Sequence, residues 1–302
     1  MASLTRIDDN PLVSIVTPSY NQGRFIETTL LSVKKQDYPN IEHIVVDGGS
    51  TDHTLDVLGK HRKEYNLKWI SEPDKGQSDA VNKGFDMASG EIIGWLNSDD
   101  VYFDRQVISN VVSEFRKMRD VDILYGDGAI INERDLILGI THTNPQFNYS
   151  RLLRTNFIFQ PASFFKRRVI QKDKLDITID LPMDYEYYLR LAKAGYVFKH
   201  VNRVLAAFRV HKTAKSSARA DEMRIETKKV RKLYGCNFNA QYYLLKLLDG
   251  MLTLFLKEYG VKTTILLAKN SNKHNLAFPA NFSCLPKALI RQLAFDPRGI
   301  FR

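Results

Sequence analysis

Short apolar runs alternate with amphipathic stretches through the first hundred residues of the chain. Four runs are rich in β-branched residues and bounded by Gly, Pro, Asn or Asp, so they predict strands. They are LVSIVT (12–17), IEHIVVD (41–47), LKWIS (67–71) and EIIGWLN (91–97). The stretches between them carry helical spacing. This alternation predicts an α/β protein with a mostly parallel sheet and helices on both faces.

Polar residues collect where each of these predicted strands ends. Ligands of open α/β sheets bind outside the carboxyl ends of the strands. Each polar residue has a structural explanation of its own, such as Asp52 as a helix cap, but four such groups at one edge predict a site. The groups are Thr17, Pro18, Ser19 and Tyr20; Asp47, Gly48, Gly49, Ser50 and Asp52; Glu72, Asp74, Lys75 and Gly76; and Asn97, Ser98, Asp99 and Asp100.

The adjacent carboxylates Asp99 and Asp100 indicate the chemistry of that site. Like charges repel and must be hydrated, paired or bound to a cation. Helix capping would need one aspartate, and Asp104 lies nearer the next helical stretch. Paired carboxylates are hard ligands for Mg²⁺ or Mn²⁺, which take substrate phosphates as further ligands. The pattern therefore favours a nucleotide diphosphate, with the cation neutralising charge on a leaving diphosphate.

The middle of the chain is less regular. Residues 122–139 predict two strands joined by a charged turn, residues 157–165 a further strand, and residues 181–196 an amphipathic helix. Residues 196–216 predict a pair of strands. From about residue 218 the pattern is helical, which places the expected boundary between a catalytic domain, 1–217, and a basic helical C-terminal extension, 218–302.

Charge separates these two parts. Residues 199–302 hold 20 Lys and Arg against 6 Asp and Glu, whereas the remainder holds 24 against 28. No zinc-finger, basic-zipper or RNA-binding motif accompanies the basic segment, which disfavours nucleic acid as a partner. The apolar stretch 240–269 is interrupted by charges and is not expected to span a membrane. With no basic and apolar leader at the start, we expect a cytoplasmic protein.

The motifs together resemble the family 2 glycosyltransferases, which have the GT-A fold. The resemblance is carried by VSIVTPSYNQGRFIETTLLSVKKQDYPNIEHIVVDGGSTDHT (13–54) and SEPDKGQSDAVNKGFDMASGEIIGWLNSDD (71–100). It is dense over residues 12–104 and sparser to about residue 217. It implies roles for individual residues: Thr17, Pro18, Tyr20 and Asp47 around the nucleoside, with Asp47 facing the base; Asp99 near the ribose; Asp100 on the metal; Asp184 as catalytic base; and His211 near the metal and diphosphate.

The chain departs from the family pattern at two positions. Many members have aspartate where this chain has Asn97, and arginine where it has Val81. The missing arginine leaves the diphosphate contact open, with Lys75 and His211 as candidate substitutes. A lone histidine is also a common structural residue, and an aspartate opening a helix, such as Asp184, is favoured by the helix dipole alone.

The resemblance implies inverting, Mn²⁺- or Mg²⁺-dependent hexosyl transfer from a nucleotide-diphosphate sugar, with UDP expected, to an acceptor hydroxyl. The acceptor would be a saccharide or lipid-linked saccharide in bacterial surface polysaccharide or glycolipid assembly. The segment 240–269, with its apolar body and flanking lysines, would either pack on the catalytic domain or associate peripherally with anionic lipid at the inner face of the membrane. One alternative is a nucleotidyltransferase, which would usually need a Gly- and Lys-rich phosphate loop. The other is a non-catalytic protein that binds a sugar or partner. A dehydrogenase is disfavoured because no GxGxxG follows a strand.

Overall fold

The computed structural model describes residues 10–143 and 146–236. The four predicted N-terminal strands are present, and a hairpin forms in residues 122–139 as predicted. The strands of the described part are β1 (Val13–Ser19), β2 (Ile41–Asp47), β3 (Leu67–Ser71), β4 (Ile92–Trp95), β5 (Val101–Tyr102), β6 (Ile123–Ile131), β7 (Ile137–Thr141), β8 (Ser163–Lys166) and β9 (Phe198–Arg209).

Helices connect most of these strands. The helices of the described part are α1 (Ile26–Lys34), α2 (Thr54–His61), α3 (Gln77–Met87), α4 (Val107–Lys117), α5 (Tyr149–Leu152), α6 (Arg167–Lys172), α7 (Met183–Lys193), α8 (Lys215–Ala218) and α9 (Ala220–Leu233). A short 3₁₀ helix, Gln160–Ala162, precedes β8. No helix in these residues has the length and apolar content needed to cross a bilayer.

The strands form one sheet in the order β3-β2-β1-β4-β8-β6-β9-β5, with β7 paired to β6. The four N-terminal strands are parallel, as predicted. The other half is mixed: β8 runs antiparallel to β4 and β6, β9 runs parallel to β6, and β5 runs antiparallel to β9. The carboxyl ends of β1 to β4 therefore meet at one edge of the sheet, where the polar residues collect.

Helices cover both faces of the sheet, as predicted. On one face, Phe85 of α3 and the tyrosines of α7 pack with Trp95 and Phe165 of the sheet. On the other, Phe115 of α4 packs with Phe164. Burial of apolar side chains on both faces supplies the main driving force for this architecture.

Two predictions in the second half of the chain need correction. Residues 157–165 contain only a four-residue strand, because the 3₁₀ turn with Pro161 occupies the preceding segment. Residues 196–216 form one long strand, β9, and not a pair. The consecutive residues Gly126 and Asp127 of β6 pair with Val201 and Val204 of β9, so β9 absorbs the extra residues as a bulge where no Gly or Pro is present to make a turn.

The segment around the predicted domain boundary belongs to a compact unit that reaches Cys236. Within it, Val230 of α9 is buried, and Asp180 forms ion pairs with Lys215 of α8 and Arg219. The boundary at residue 217 stays a prediction, and residues 237–302 lie outside the described residues.

Candidate active site

A cleft of about 600 Å³ opens at the carboxyl edge of the parallel strands. Four of the predicted site residues line it, namely Pro18, Tyr20, Asp99 and Asp184. The residues that join them along the wall are Ser19, Gln22, Asp74, Gly76, Gln77, Ala80, Trp95, Asn97, Ser98, Ile158, Phe159, Gln160, Pro161, Leu181, Met183, Phe208, Thr213, Ala214, Lys215, Ser216 and Met223. The cleft thus combines polar strand ends with an apolar wall, as small-molecule sites usually do.

Asn97 organises the turn that follows β4. Its Oδ1 accepts hydrogen bonds from Trp95 Nε1 at 3.0 Å and Gln77 Nε2 at 2.9 Å. Its Nδ2 donates to Asp100 Oδ2 at 3.1 Å and to Gln160 Oε1 at 2.9 Å. An aspartate here could accept the first two bonds but could not donate the other two. The departure from the family pattern therefore gives Asp100 a hydrogen-bond donor in place of a third carboxylate.

Asp100 lies behind Asp99 and is fully buried, so it does not line the cleft. Its Oδ1 accepts a hydrogen bond from the Arg209 backbone N–H at 3.0 Å. Burial, together with the neighbouring Asp99, raises the pKa of the Asp100 carboxyl well above its usual range. Among the residues that the structure describes, no Lys or Arg side chain forms an ion pair with either aspartate. A cation bound at this turn would favour the charged form of Asp100.

The Arg209 side chain stabilises the turn that holds Asp99 and Asp100. The sequence analysis did not identify this residue. The guanidinium is 1% exposed, and it donates from Nε to the Asp99 carbonyl at 2.8 Å and from Nη1 to the Asn132 carbonyl at 3.0 Å. Its Nη2 reaches Thr28 Oγ1 at 3.2 Å and forms an ion pair with Asp135 at 2.7 Å. One planar group therefore joins α1, the strand-end turn and the β6–β7 hairpin.

His211 contacts Asp99 and not Asp100. Its Nε2 lies 2.9 Å from Asp99 Oδ2, and its Nδ1 lies 2.9 Å from Thr213 Oγ1. The ring packs against Phe25 at a centroid distance of 4.5 Å. The side chain is 1% exposed, so His211 sits beneath the cleft and fixes the orientation of the Asp99 carboxylate.

Asp184 occupies the first turn of α7 and lines the cleft. Asn156 Nδ2 donates to its Oδ2 at 3.2 Å. Burial raises the pKa of the Asp184 carboxyl, against the lowering effect of hydrogen bonds from the Tyr185 backbone N–H and from Asn156. A carboxylate with a raised pKa and access to a cleft has the properties of a general base.

Besides Asp100 and His211, three further predicted residues do not line the cleft. Thr17 is fully buried and bonded through Oγ1 to His43 Nε2 at 2.9 Å. Asp47 is also fully buried, and its carboxylate accepts hydrogen bonds from the backbone of Gly49 and Ser50 and from the hydroxyls of Ser50 and Ser71. Lys75 is exposed on the loop before α3. Their roles in ligand binding stay predictions.

Several lining residues were missed by sequence reasoning, including Gln77, Gln160 and Lys215. Gln160 could have been noticed as a polar residue inside the apolar run 157–165, and Arg209 as a charge inside β9. Lys215 donates from Nζ to the Asp180 carbonyl at 3.0 Å and brings a cation to the cleft wall. Val81, at the position of the family's arginine, is fully buried in the core.

The chemistry of the donor set suits a hard divalent cation. Asp99 and Asp100 present adjacent carboxylates without a paired Lys or Arg side chain among the described residues, and burial disfavours the charged form of Asp100, which a bound cation would stabilise. No three His, Cys, Asp or Glu side chains in the described ranges form a complete metal cage. Mg²⁺ and Mn²⁺ do not require one, because substrate phosphates and water supply the remaining ligands.

Arg209→Lys tests the bracing of the turn. A lysine cannot reproduce the guanidinium fork and leaves buried carbonyls without donors, so the free energy of unfolding should fall by about 2–4 kcal/mol. Urea denaturation measures the change. The control is Arg203→Lys on the same strand, where the side chain is exposed and the effect should stay within about 0.5 kcal/mol. Equal effects at the two positions would contradict the bracing role.

Two solved structures show the same fold as this chain. S. aureus TarS residues 1–349, solved with UDP, aligns with a TM-score of 0.59 and 19% identity over 76% of this chain and 68% of that chain. The mannosyltransferase PcManGT from Pyrobaculum calidifontis, solved with GDP-Man and Mn²⁺, aligns with a TM-score of 0.57 and 18% identity over 89% of this chain and 88% of that chain. The predicted GT-A fold is confirmed.

Curated relatives extend the comparison. Hyaluronan synthase of Pasteurella multocida is 28% identical over 66% of this chain and 20% of that protein. Chondroitin synthase of Escherichia coli is 28% identical over 67% of this chain and 29% of that protein. The chain thus spans less than a third of the length of these two relatives. A PGL/p-HBAD biosynthesis glycosyltransferase of Mycobacterium tuberculosis is 30% identical over 66% of this chain and 77% of that protein. The family model described as Glycosyl transferase family 2 matches residues 14–175, and the chain belongs to this family.

Proposed function

We propose that the cleft catalyses inverting, metal-dependent transfer of a sugar from a nucleotide-diphosphate sugar, with UDP as the nucleotide, to an acceptor hydroxyl. The observation that carries the proposal is the convergence of Asp99 and Asp184 on one cleft of about 600 Å³, with the buried Asp100 directly behind Asp99. At one end of the cleft, the carboxylates of Asp99 and Asp100 would hold a cation, and the cation would bind the donor diphosphate. The other supplies a carboxylate suited to take a proton.

The donor would lie along the strand ends. Pro18 and Tyr20 would border the nucleoside, Asp99 would approach the ribose, and Asp100 with His211 would hold Mn²⁺ or Mg²⁺. Thr17, Asp47 and Lys75 keep their proposed places around the nucleoside and diphosphate. To reach a ligand, Thr17 and Asp47 would have to leave their present hydrogen bonds, whereas the Lys75 side chain is exposed. Similar structures, solved with UDP or with GDP-Man and Mn²⁺, support a nucleotide-sugar donor and a divalent cation.

The proposed transfer reaction depends on the carboxylate of Asp184, on the acceptor side of the cleft. Asp184 takes the proton of the acceptor hydroxyl as its oxygen forms a bond to the anomeric carbon. The bond from that carbon to the diphosphate oxygen breaks, and the nucleoside diphosphate leaves with the electron pair. A bound cation supplies electrostatic stabilisation of this leaving group. A single displacement inverts the configuration at the anomeric carbon.

The acceptor is proposed to be a saccharide or lipid-linked saccharide in bacterial surface polysaccharide or glycolipid assembly. The names of the hyaluronan and chondroitin synthases and of the mycobacterial glycosyltransferase support this range. The non-catalytic alternative would bind a nucleotide sugar without turnover, and a nucleotidyltransferase would release diphosphate from a nucleoside triphosphate. Measuring free nucleoside diphosphate and pyrophosphate separately distinguishes the three.

Asp184→Asn tests the catalytic base. Transfer should fall steeply while UDP affinity stays near that of the wild type, because the amide keeps the shape and cannot take a proton. In the wild type, the raised pKa of Asp184 means that transfer declines on acidification at a pH above the ordinary aspartate value of about 3.9. Transfer assays from pH 4 to about 8 measure both effects.

Stability gives an independent readout of the same variant. Because the pKa of the Asp184 carboxyl is raised in the folded state, the folded protein holds this proton more tightly than the unfolded chain does. The resulting stabilisation is complete below the unfolded-state pKa and is lost as pH rises through the folded-state pKa. The charged Asp184 therefore costs stability at neutral pH, and Asp184→Asn should unfold at an equal or higher temperature. Asp176→Asn, an exposed neighbour outside the cleft, should keep full transfer. Normal transfer by Asp184→Asn would exclude the catalytic role.

Asp100→Asn tests the metal site. Transfer should fall by about a hundredfold or more, because the cation loses its carboxylate ligand, whereas the fold should survive. Exhaustive EDTA treatment of the wild type should also abolish transfer, and added Mn²⁺ or Mg²⁺ should restore it. Asp104→Asn, in the loop beyond the turn, serves as the control. Undiminished activity after EDTA treatment would contradict metal dependence.

The location is proposed to be cytoplasmic, with salt-sensitive association with anionic lipid at the inner face of the membrane. Its main support is the basic segment 199–302 with its apolar stretch 240–269, which lies outside the described residues. Vesicle flotation should show binding to anionic vesicles that weakens as salt rises. Equal binding to neutral vesicles, or none to either, would contradict the proposal.

A further inference from the structure

Asn156 contacts the carboxylate of Asp184 with a fixed side-chain orientation. Its Nδ2 donates to Asp184 Oδ2 at 3.2 Å, and its Oδ1 accepts the backbone N–H of Ile158 at 3.3 Å. The opposite orientation of the amide would set an oxygen against the carboxylate and an NH₂ group against the Ile158 N–H. Asn156 does not line the cleft, so any effect that it has on the reaction acts through Asp184.

The segment that carries Asn156 is tied to the start of α7. Tyr185 is 2% exposed, and its hydroxyl donates to the carbonyl oxygens of Leu152 at 3.0 Å and Leu153 at 2.9 Å. Arg231 of α9 donates from Nε to the same hydroxyl at 3.3 Å. The Tyr185 hydroxyl and the carboxylate beside it on the helix therefore hold one short segment, which keeps Asn156 in place.

Two hydrogen bonds oppose the effect of burial on Asp184. Burial raises the pKa of its carboxyl, whereas the Tyr185 backbone N–H and the Asn156 amide lower it. Of these two donors, Asn156 is the one that a substitution can remove. Burial raises the pKa of Tyr188 well above its usual range, so this neighbour stays neutral. The charged and titratable side chains that border the region are Tyr188 of α7, Lys215 of α8, Asp74 and Asp99 of the cleft wall, and Glu226 and Arg231 of α9.

We propose that Asn156 is a positioning residue that holds the Asp184 carboxylate in the orientation in which it takes the proton of the acceptor hydroxyl. A donor on Oδ2 limits rotation of the carboxylate and favours its charged form. An ionised carboxylate has about four lone-pair sites, so these contacts leave capacity for the acceptor proton. The inference rests on the proposed function, because it concerns the base of the proposed transfer.

Asn156→Asp is the most selective variant. It keeps an oxygen for the Ile158 N–H and replaces the donor to Asp184 with a second oxygen, so two carboxylates would share their protons. The pH below which transfer is lost should rise by about one unit or more. On the plateau, kcat should fall several-fold while KM for the donor stays near the wild-type value. Initial rates of the full chain with a UDP-sugar that the wild type turns over, recorded from pH 5 to about 9, measure both effects.

Asn156→Leu and a matched control separate positioning from folding. Leucine removes the donor without adding a charge, so the acidic limb should move in the same direction by a smaller amount. The control is Asn82→Asp, since Asn82 is also partly buried and exchanges two hydrogen bonds of 2.9 Å with the backbone of Leu175, outside the cleft. It should lower the unfolding temperature and leave the acidic limb where it is in the wild type.

Protonation of the Asp99–Asp100 turn could also end transfer at low pH, and the Mn²⁺ concentration distinguishes the two causes. A limb set by metal binding moves to lower pH as Mn²⁺ is raised, because protons and metal compete for the same carboxylates. A limb set by Asp184 does not depend on Mn²⁺. The shift in the Asn156 variants should therefore be the same at low and at saturating Mn²⁺.

The possible outcomes separate the inference from the proposed function. Asn156 variants with the acidic limb and plateau of the wild type would overturn the inference while the proposed function stands. An equal shift in Asn82→Asp would also overturn it, because the effect would then follow from lost stability. A wild type that turns over no UDP-sugar would instead contradict the proposed function itself.

Discussion

The electrostatic repulsion between Asp99 and Asp100 is the constraint around which the site is built. Two adjacent carboxylates at the end of a buried strand would ordinarily be hydrated or paired with cations. Here the chain surrounds them with hydrogen-bonding groups: the Asn97 amide and the Arg209 backbone N–H donate to Asp100, and the His211 ring contacts Asp99. These contacts fix both carboxylates in position.

The fold explains how the Asp99–Asp100 turn and Asp184 come together at one cleft. The parallel half of the sheet, β3-β2-β1-β4, brings the strand-end loops to one edge, and the mixed half places β9 where Arg209 supports the turn. α7 packs on the sheet through its tyrosines, with Asp184 in its first turn at the cleft. The Asp99–Asp100 turn and Asp184 therefore belong to different layers of the protein, and packing sets their separation.

The parallel half was predictable because its information is local. Apolar runs of strand length bounded by turn residues mark β1 to β4, and helical spacing marks α7. The single long strand β9 was not predictable, because its bulge depends on pairing with β6 and is not marked by a Gly or Pro residue in the sequence. The split of residues 157–165 into a 3₁₀ turn and a short strand was equally hidden.

The site was predictable in its location and less so in its details. A strand end indicates which residues approach the edge, but not which side chains turn into the core: Thr17 bonds to His43 inside the protein, whereas Ser19, two residues later, lines the cleft. Arg209 is 110 residues from Asp99, and Asn156 is 28 residues from Asp184. Contacts over such separations depend on the tertiary fold and leave only weak local signals, such as a charge within an apolar strand.

The central claim is that this cleft turns over a nucleotide sugar. The most direct measurement is the release of free nucleoside diphosphate from a panel of UDP-, GDP- and dTDP-sugars by the purified protein, with Mn²⁺ and a mixture of saccharide acceptors. If the cleft transfers sugar as proposed, acceptors should stimulate the release of UDP from at least one UDP-sugar. Binding of UDP without release from any sugar nucleotide in the panel would contradict it and would leave a binding protein on a glycosyltransferase fold.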